Sequence, residues 1–224
     1  MMRAMHSRIT LGKMQNPVRG FLHGSAAVAA GVGTVFLVTR APSWPSRTAL
    51  LVFGMGLGAL YTTSSLYHSI PWQEAWKRRM QRLDHSMILV LIAASFTPFG
   101  AVLLDGWLRV VSLAIAWSMA LVGIAQHTFW PKEHFTTSIA LMVTMGWLSL
   151  PLMIPIAQRA GVSAVVFLGA GGVLYTVGMV FLVTNRPRLW PRIFSYHEVF
   201  HVLVVTAASL HYAAAAGSVA NYAA

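Results

Sequence analysis

Cysteine is absent from this chain of 224 residues, and acidic residues are scarce. Without cysteine the chain forms no disulfide, and any metal site has to use histidine, carboxylate or water. Only 9% of the residues are charged, whereas a soluble domain of this size has about a quarter. The five Asp and Glu residues leave a net charge of +11. In a chain so poor in charge, basic loops that set membrane topology explain this excess better than nucleic-acid binding does.

Long apolar runs dominate the rest of the sequence. Hydrophobic residues make up 57% of the chain, and runs near the length of about 20 residues that a bilayer requires recur throughout it. We therefore predict an all-α polytopic membrane protein, a seven-transmembrane helix bundle. The predicted spans are 20–38, 48–69, 84–104, 107–126, 137–157, 162–184 and 194–216. The predicted organisation is a short basic cytoplasmic tail at 1–19 and a single seven-helix transmembrane domain at 20–224.

The basic residues are distributed unequally between the two sides of this arrangement. Twelve fall in the N-terminal tail and the loops after spans two, four and six, and four fall on the other side. Because basic residues accumulate in cytoplasmic loops, we expect a cytoplasmic N-terminus and an extracytoplasmic C-terminus.

One glycine-rich segment, "GAGG" at 169–172, lies inside the sixth span. Small residues at this place favour close packing of helices. A phosphate-binding loop is the weaker interpretation, because no strand precedes the segment.

The segment "HEVFH" at the start of the seventh span contains His197, Glu198 and His201. Residues four apart lie on one face of a helix, so the two histidines can bind a single metal ion. The segment also matches the H-E-x-x-H motif of metalloproteases, in which the glutamate is the general base. The sequence therefore offers two interpretations, a protease or a different zinc site.

Further polar residues are expected at the same depth as this histidine pair. His68 lies at the inner end of span two, Ser64 one helical turn deeper, and Asp84 at the start of span three. Three histidines can hold Zn²⁺ and leave its fourth position to water, and Asp84 would hold that water or orient a ligand. Ser64 would donate a hydrogen bond to the water or to a developing oxyanion. Ionisable groups inside a bilayer are costly and usually functional.

A protease would need a third ligand downstream of His201. The next candidate, His211, lies ten residues later and about 15 Å along the helix, and no acidic residue follows Glu198. The third ligand should therefore come from upstream, where His68 fits. Glu198 points roughly 100° away from His197, so we interpret the match to the H-E-x-x-H protease motif as coincidental. The remaining histidines are each interpreted as interfacial residues: His6, His85, His127, His134 and His211.

Three segments together resemble the signatures of the haemolysin III branch of the progestin and adipoQ receptor superfamily. They are "YTTSSLYHS", "RLDHSMILVLIAASFTPF" and "HEVFHVLVVTAASLHY", and "GGVLYTVGMVF" in span six is also similar. The similarity runs from about residue 16 through nearly the whole chain. It implies seven spans, a cytoplasmic N-terminus and a location in the bacterial inner (plasma) membrane.

The resemblance also implies a zinc site at His68, His197 and His201, with Asp84 and Ser64 beside it. The first motif of the family has a Glu before a His, whereas "MQNPVRGFLHG" has His23 but no such Glu. His23 is therefore either a residue behind the metal ligands or a packing residue.

The function that the resemblance favours is zinc-dependent hydrolysis of lipid amides or esters, with membrane lipids as partners and substrate. Membrane lysis and a sensor with structural zinc are the alternatives. A lipid-accessible cavity at the metal would favour the hydrolase, whereas a closed site with four ligands would favour the structural role. The sequence leaves the oligomeric state open.

Overall fold

Seven helices of this protein are long and apolar enough to cross a membrane, as predicted. The computed structural model describes residues 14–129, 135–190 and 193–222. Within these ranges every regular secondary-structure element is a helix, apart from an isolated β-bridge between Trp190 and Phe194. Most of the predicted tail at 1–19 lies outside the described residues, and the first helix already begins at Pro17.

The helices follow one another with short connections. They are α1 (Pro17–Arg40), α2 (Trp44–Ser69), α3 (Glu74–Leu103), α4 (Gly106–Phe129), α5 (Phe135–Trp147), α6 (Met153–Ala160), α7 (Val162–Thr184) and α8 (Tyr196–Gly217). Short 3₁₀ turns lie at Leu150–Leu152 and Val219–Asn221. The turn before α4 is tight, and Gly106 accommodates it at φ 51°, where residues with a side chain are disfavoured.

Two spans differ from the prediction in their helical limits. Helix α3 begins ten residues before Asp84, because the charged segment 74–83 consists mainly of strong helix formers and extends the helix beyond the apolar run. The fifth span is divided into α5 and α6, with the 3₁₀ turn between them. Pro151 lies in that turn, where a proline's missing N–H and fixed φ oppose a continuous helix.

Close packing joins α1 to α2, α2 to α3, and α7 to α8. A Cβ at Gly56 would lie 2.5 Å from the Cβ of Ala94, so this glycine allows α2 to approach α3. A Cβ at Gly171 would lie 2.5 Å from the ring of His211 on α8. This residue of "GAGG" therefore has the packing role that the sequence predicted for the segment.

The alternation of helices brings one set of helix ends together. Helix α2 ends, and α1, α3 and α8 begin, at the same end of the bundle, which we call the histidine end because it contains His68 and His197.

At the opposite end, an exposed ion cluster joins the α3–α4 connection to α6. Asp105 accepts hydrogen bonds from Arg159 and from Arg109, the latter at 2.9 Å. The hydrogen bond from Arg159, and the charges of both arginines, hold the pKa of Asp105 below its usual range.

Candidate metal centre

Three histidines from two helices meet at the histidine end. His68 comes from the last turn of α2, and His197 and His201 come from the first two turns of α8. One ring nitrogen from each of them lies within 4.8 Å of the others, so the three side chains can hold one metal ion. His68 and His201 are buried, and His197 is half-buried. Nε2 of His201 is buried and has no hydrogen-bond partner among the described residues, as a nitrogen facing a metal position would.

Asp84 and Ser64 lie together beside this triad. Ser64 is on α2, one turn before His68, and its side chain hydrogen-bonds to the Asp84 carboxyl group on α3. Both residues are buried and line the same cavity as the triad. The other carboxyl oxygen, Oδ1 of Asp84, is buried without a partner in the described parts of the chain. The structure thus brings all five predicted site residues to one place.

Both carboxylate oxygens of Glu198 accept hydrogen bonds from residues outside the triad. Nε of Arg19 on α1 donates to Oε1 at 2.7 Å, and both side chains are buried. The Ser195 N–H donates to Oε2 at 2.8 Å and forms part of a capping box that begins α8. The glutamate of "HEVFH" therefore stabilises a helix start and an interhelical ion pair, an arrangement that disfavours the protease interpretation.

His23 on α1 lies directly behind His201. Its Nε2 is 2.9 Å from Nδ1 of His201, and the two ring centroids are 4.1 Å apart. Its ring also packs edge-on against Tyr61, at 5.1 Å between centroids. The sequence left the role of His23 open, because nothing local shows which residue of α8 it faces.

A large cavity begins at the triad and extends toward the opposite end of the bundle. Its volume is about 860 Å³, and apolar side chains form most of its wall. Asp84 lines it at the histidine end, and Phe99, Trp107 and Pro151 line it farther along. The 15 residues of α3 from Asp84 to Phe99 correspond to about 22 Å.

Two histidines that the sequence assigned to the interface lie inside the bundle. His127 on α4 is buried, with Nδ1 3.3 Å from Oγ of Ser86 and Nε2 2.9 Å from Oγ of Ser138. His211 has Nε2 3.2 Å from the Leu168 carbonyl oxygen. For these two residues the interfacial interpretation was wrong, because each imidazole has a polar partner on a neighbouring helix. Both nitrogens of His127 have such a partner, whereas Nδ1 of His211 is buried without a described one. His6 and His134 lie outside the described residues.

These features define an integral membrane protein of seven helical spans with a largely buried histidine triad that can hold a metal ion. A sequence profile described as haemolysin-III related matches residues 12–212. The chain belongs to this family.

Individual relatives agree with this assignment. The chain is 32% identical to the hemolysin-3 homolog of Bacillus subtilis (strain 168) over 186 residues, which cover 82% of this chain and 84% of the relative. It is 29% identical to hemolysin-3 of Bacillus cereus over 202 residues, which cover 89% of each protein. It is 25% identical to the human monocyte to macrophage differentiation factor over 204 residues, 86% of this chain and 79% of the relative. The human relative supports the wider progestin and adipoQ receptor superfamily.

Proposed function

We propose that this protein is a zinc-dependent hydrolase of lipid amides or esters. The observation that carries this proposal is the direct opening of the histidine triad and Asp84 into a cavity of about 860 Å³ with mostly apolar walls. A purely structural metal site would be closed by protein ligands, whereas a catalytic site needs access for substrate and water.

The side chains of the triad fit zinc among the common metals. Neutral imidazole is a usual zinc ligand, and the buried, unpartnered Nε2 of His201 is a donor that a metal would satisfy. His68, His197 and His201 would hold the ion. When bound, zinc would acidify a water molecule and polarise a substrate carbonyl.

Asp84 and Ser64 supply the other groups that hydrolysis requires. Asp84 would accept a proton from the attacking water, because its side chain lines the same cavity as the triad and its Oδ1 has no described partner of its own. Ser64 hydrogen-bonds to the Asp84 carboxyl group and so fixes its direction. The proton held by Asp84 would then pass to the leaving amine or alcohol.

The dimensions of the cavity suit the chain of a lipid. Its volume lies within the range of about 300–1,000 Å³ that is typical of ligand sites. Its length of about 22 Å along α3 is a large part of the ~30 Å hydrocarbon core of a bilayer. Gly169 and Gly172 on α7 line it, and a Cβ at either glycine would meet no atom within 4 Å. A side chain at either position would therefore enter open space.

We also propose that the histidine end faces the cytoplasm of a bacterial cell, as the distribution of basic residues predicts. A reporter fused after Ala224 should then be extracytoplasmic, and one inserted near Lys77 should be cytoplasmic. Finding both reporters on the same side of the membrane would contradict this topology.

The hydrolase proposal is tested with purified protein by metal analysis and a screen of lipid amides and esters. We expect about one zinc ion per chain and release of fatty acid. Asp84→Asn should reduce hydrolysis more than it reduces zinc content, because the water loses its proton acceptor but the three nitrogens remain. Wild-type protein that holds zinc but cleaves none of these lipids would refute the hydrolase and favour a structural metal.

Glu198→Gln separates this proposal from the protease interpretation. We expect this variant to retain its metal, because the glutamate contacts Arg19 and Ser195 and not the triad. Cleavage of a transmembrane peptide by wild-type protein, abolished in Glu198→Gln with zinc still bound, would support a protease instead.

Membrane lysis is a second candidate, favoured by the names of the two Bacillus relatives. If lysis results from lipid hydrolysis, Asp84→Asn should abolish haemolysis by cells that express the protein at an unchanged level. Haemolysis that persists in this variant would indicate a lytic activity independent of the proposed chemistry.

A further inference from the structure

We propose that His23 is a positioning residue that orients the imidazole of His201 toward the metal position. This inference rests on the metal site of the proposed function and assigns to α1 a role in building it. His23 itself is not a member of the group of three histidines that can hold the ion.

The argument begins with the two nitrogens of His201. Nδ1 of His201 lies 2.9 Å from Nε2 of His23 and 3.3 Å from Nδ1 of the same ring, whereas Nε2 of His201 is buried without a described partner. A neutral imidazole carries one N–H and one free lone pair. If Nδ1–H of His201 donates to Nε2 of His23, the lone pair of His201 is left on Nε2, where a metal needs it. The opposite tautomer would place a buried N–H at Nε2, without an acceptor in the described residues.

The surroundings of His23 hold its ring in place. Its side chain is buried, 2% exposed, and it packs against Tyr61 on α2 and against His201 on α8. One helical turn earlier on α1, Arg19 pairs with Glu198. Both contacts join α1 to the first turns of α8. The ion pair fixes the start of α8, and His23 fixes the ring of one ligand within it.

Residues that hydrogen-bond to metal ligands contribute measurably to metal affinity. Loss of such a partner typically weakens metal binding about 10–100-fold, because the ligand loses its preferred tautomer and orientation. The predicted effect of losing His23 is therefore weaker metal binding with the three direct ligands unchanged.

The experiment measures zinc affinity of purified, metal-stripped, full-length protein by competition with a chromophoric chelator. His23→Phe keeps a planar ring against Tyr61 but removes the acceptor, and we expect it to raise the Kd for zinc about 10–100-fold. His23→Gln returns an acceptor near the place of Nε2 and should recover most of that loss. His211→Phe is the matched control, since His211 lies on the same helix as His201 but hydrogen-bonds to Leu168. It should leave zinc affinity unchanged.

Two further measurements separate positioning from packing and from direct ligation. The melting temperature of metal-free His23→Gln, which keeps an acceptor for His201, should equal that of metal-free wild type, and the visible spectrum of Co²⁺ bound to His23→Phe should show the wild-type ligand set. Zinc affinity of His23→Phe equal to that of wild type would overturn the proposal. Equal losses of affinity in both His23 variants, with lower metal-free stability, would assign a packing role instead.

Loss of zinc as complete as in His201→Ala, with an altered Co²⁺ spectrum, would make His23 a direct ligand and would also overturn the proposal. Zinc binding by His201→Ala equal to that of wild type would refute the metal site and this inference together. Zinc binding that depends on His201 but not on His23 would refute this inference alone.

Discussion

The buried ion pair between Arg19 and Glu198 offers the sharpest test of how α1 and α8 are held together. The two groups are 2.7 Å apart, and their side chains are only 7% and 9% exposed. Removing one member of such a pair typically costs about 3–5 kcal/mol, because the other charge stays buried without its counter-ion. Replacing both members with neutral residues often costs little.

We therefore expect Arg19→Met and Glu198→Gln each to destabilise the protein by about 3–5 kcal/mol, and the double variant by only about 1 kcal/mol. A glutamine at position 198 can still accept the hydrogen bond from the Ser195 N–H, so the capping box at the start of α8 is retained. With about 2–4 °C per kcal/mol for a chain of this length, each single variant should melt roughly 6–20 °C below wild type.

The assay is thermal unfolding in detergent, followed by the fluorescence of the eight tryptophans. Arg78→Met is the control, because Arg78 and Glu74 form an exposed pair with the same charges. It should change the melting temperature by no more than about 4 °C, since exposed pairs contribute about 0–1 kcal/mol. Losses that simply add in the Arg19→Met/Glu198→Gln double variant would refute the reasoning. A Glu198→Gln variant that melts at the same temperature as wild type would also refute it.

Three further predictions concern the metal, the cavity and the exposed ion cluster. His68→Ala should remove bound zinc as completely as His201→Ala, measured by metal analysis, and equal zinc content in His68→Ala and wild type would contradict the triad. Gly172→Leu should keep its melting temperature but lower hydrolysis of long-chain more than short-chain lipids, whereas Gly171→Leu should fail to fold stably because its side chain would meet a ring 2.5 Å away. Because the folded pKa of Asp105 is lowered, the stability it contributes is present above about pH 4 and is lost as pH falls further. The melting temperatures of wild type and Asp105→Asn should therefore differ at pH 6, and the difference should shrink as the pH falls below about 4, whereas a constant difference would contradict this linkage.

The sequence by itself determined the number of helices and the level of the site. Apolar runs near 20 residues define membrane spans through local composition alone, because the bilayer selects for length and hydrophobicity and not for particular neighbours. Once seven spans alternate in direction, the ends of α2, α3 and α8 must meet on one side. His68, Asp84 and His201 were predicted at a common depth on this basis, and they do lie together there.

Local composition was less informative about where helices begin and break. The segment 74–83 is too charged to count as part of a membrane span, yet its residues favour helix and continue α3 outward. Pro151 was visible in the sequence, but a proline can kink a membrane helix or divide it. The structure shows that the fifth span is divided into two helices at this proline.

The tertiary structure alone decided which side chains face one another across helices. The partner of Glu198 is Arg19, 179 positions away, and the partner of His201 is His23, 178 positions away. Likewise, adjacent glycines in "GAGG" have different roles, since Gly171 packs against α8 whereas Gly172 faces the cavity. The physical reason is that hydrophobicity places a helix in the membrane but does not fix its rotation about its own axis. That rotation is set by close packing with neighbouring helices, and it determines both the pairing of polar groups and the walls of the cavity.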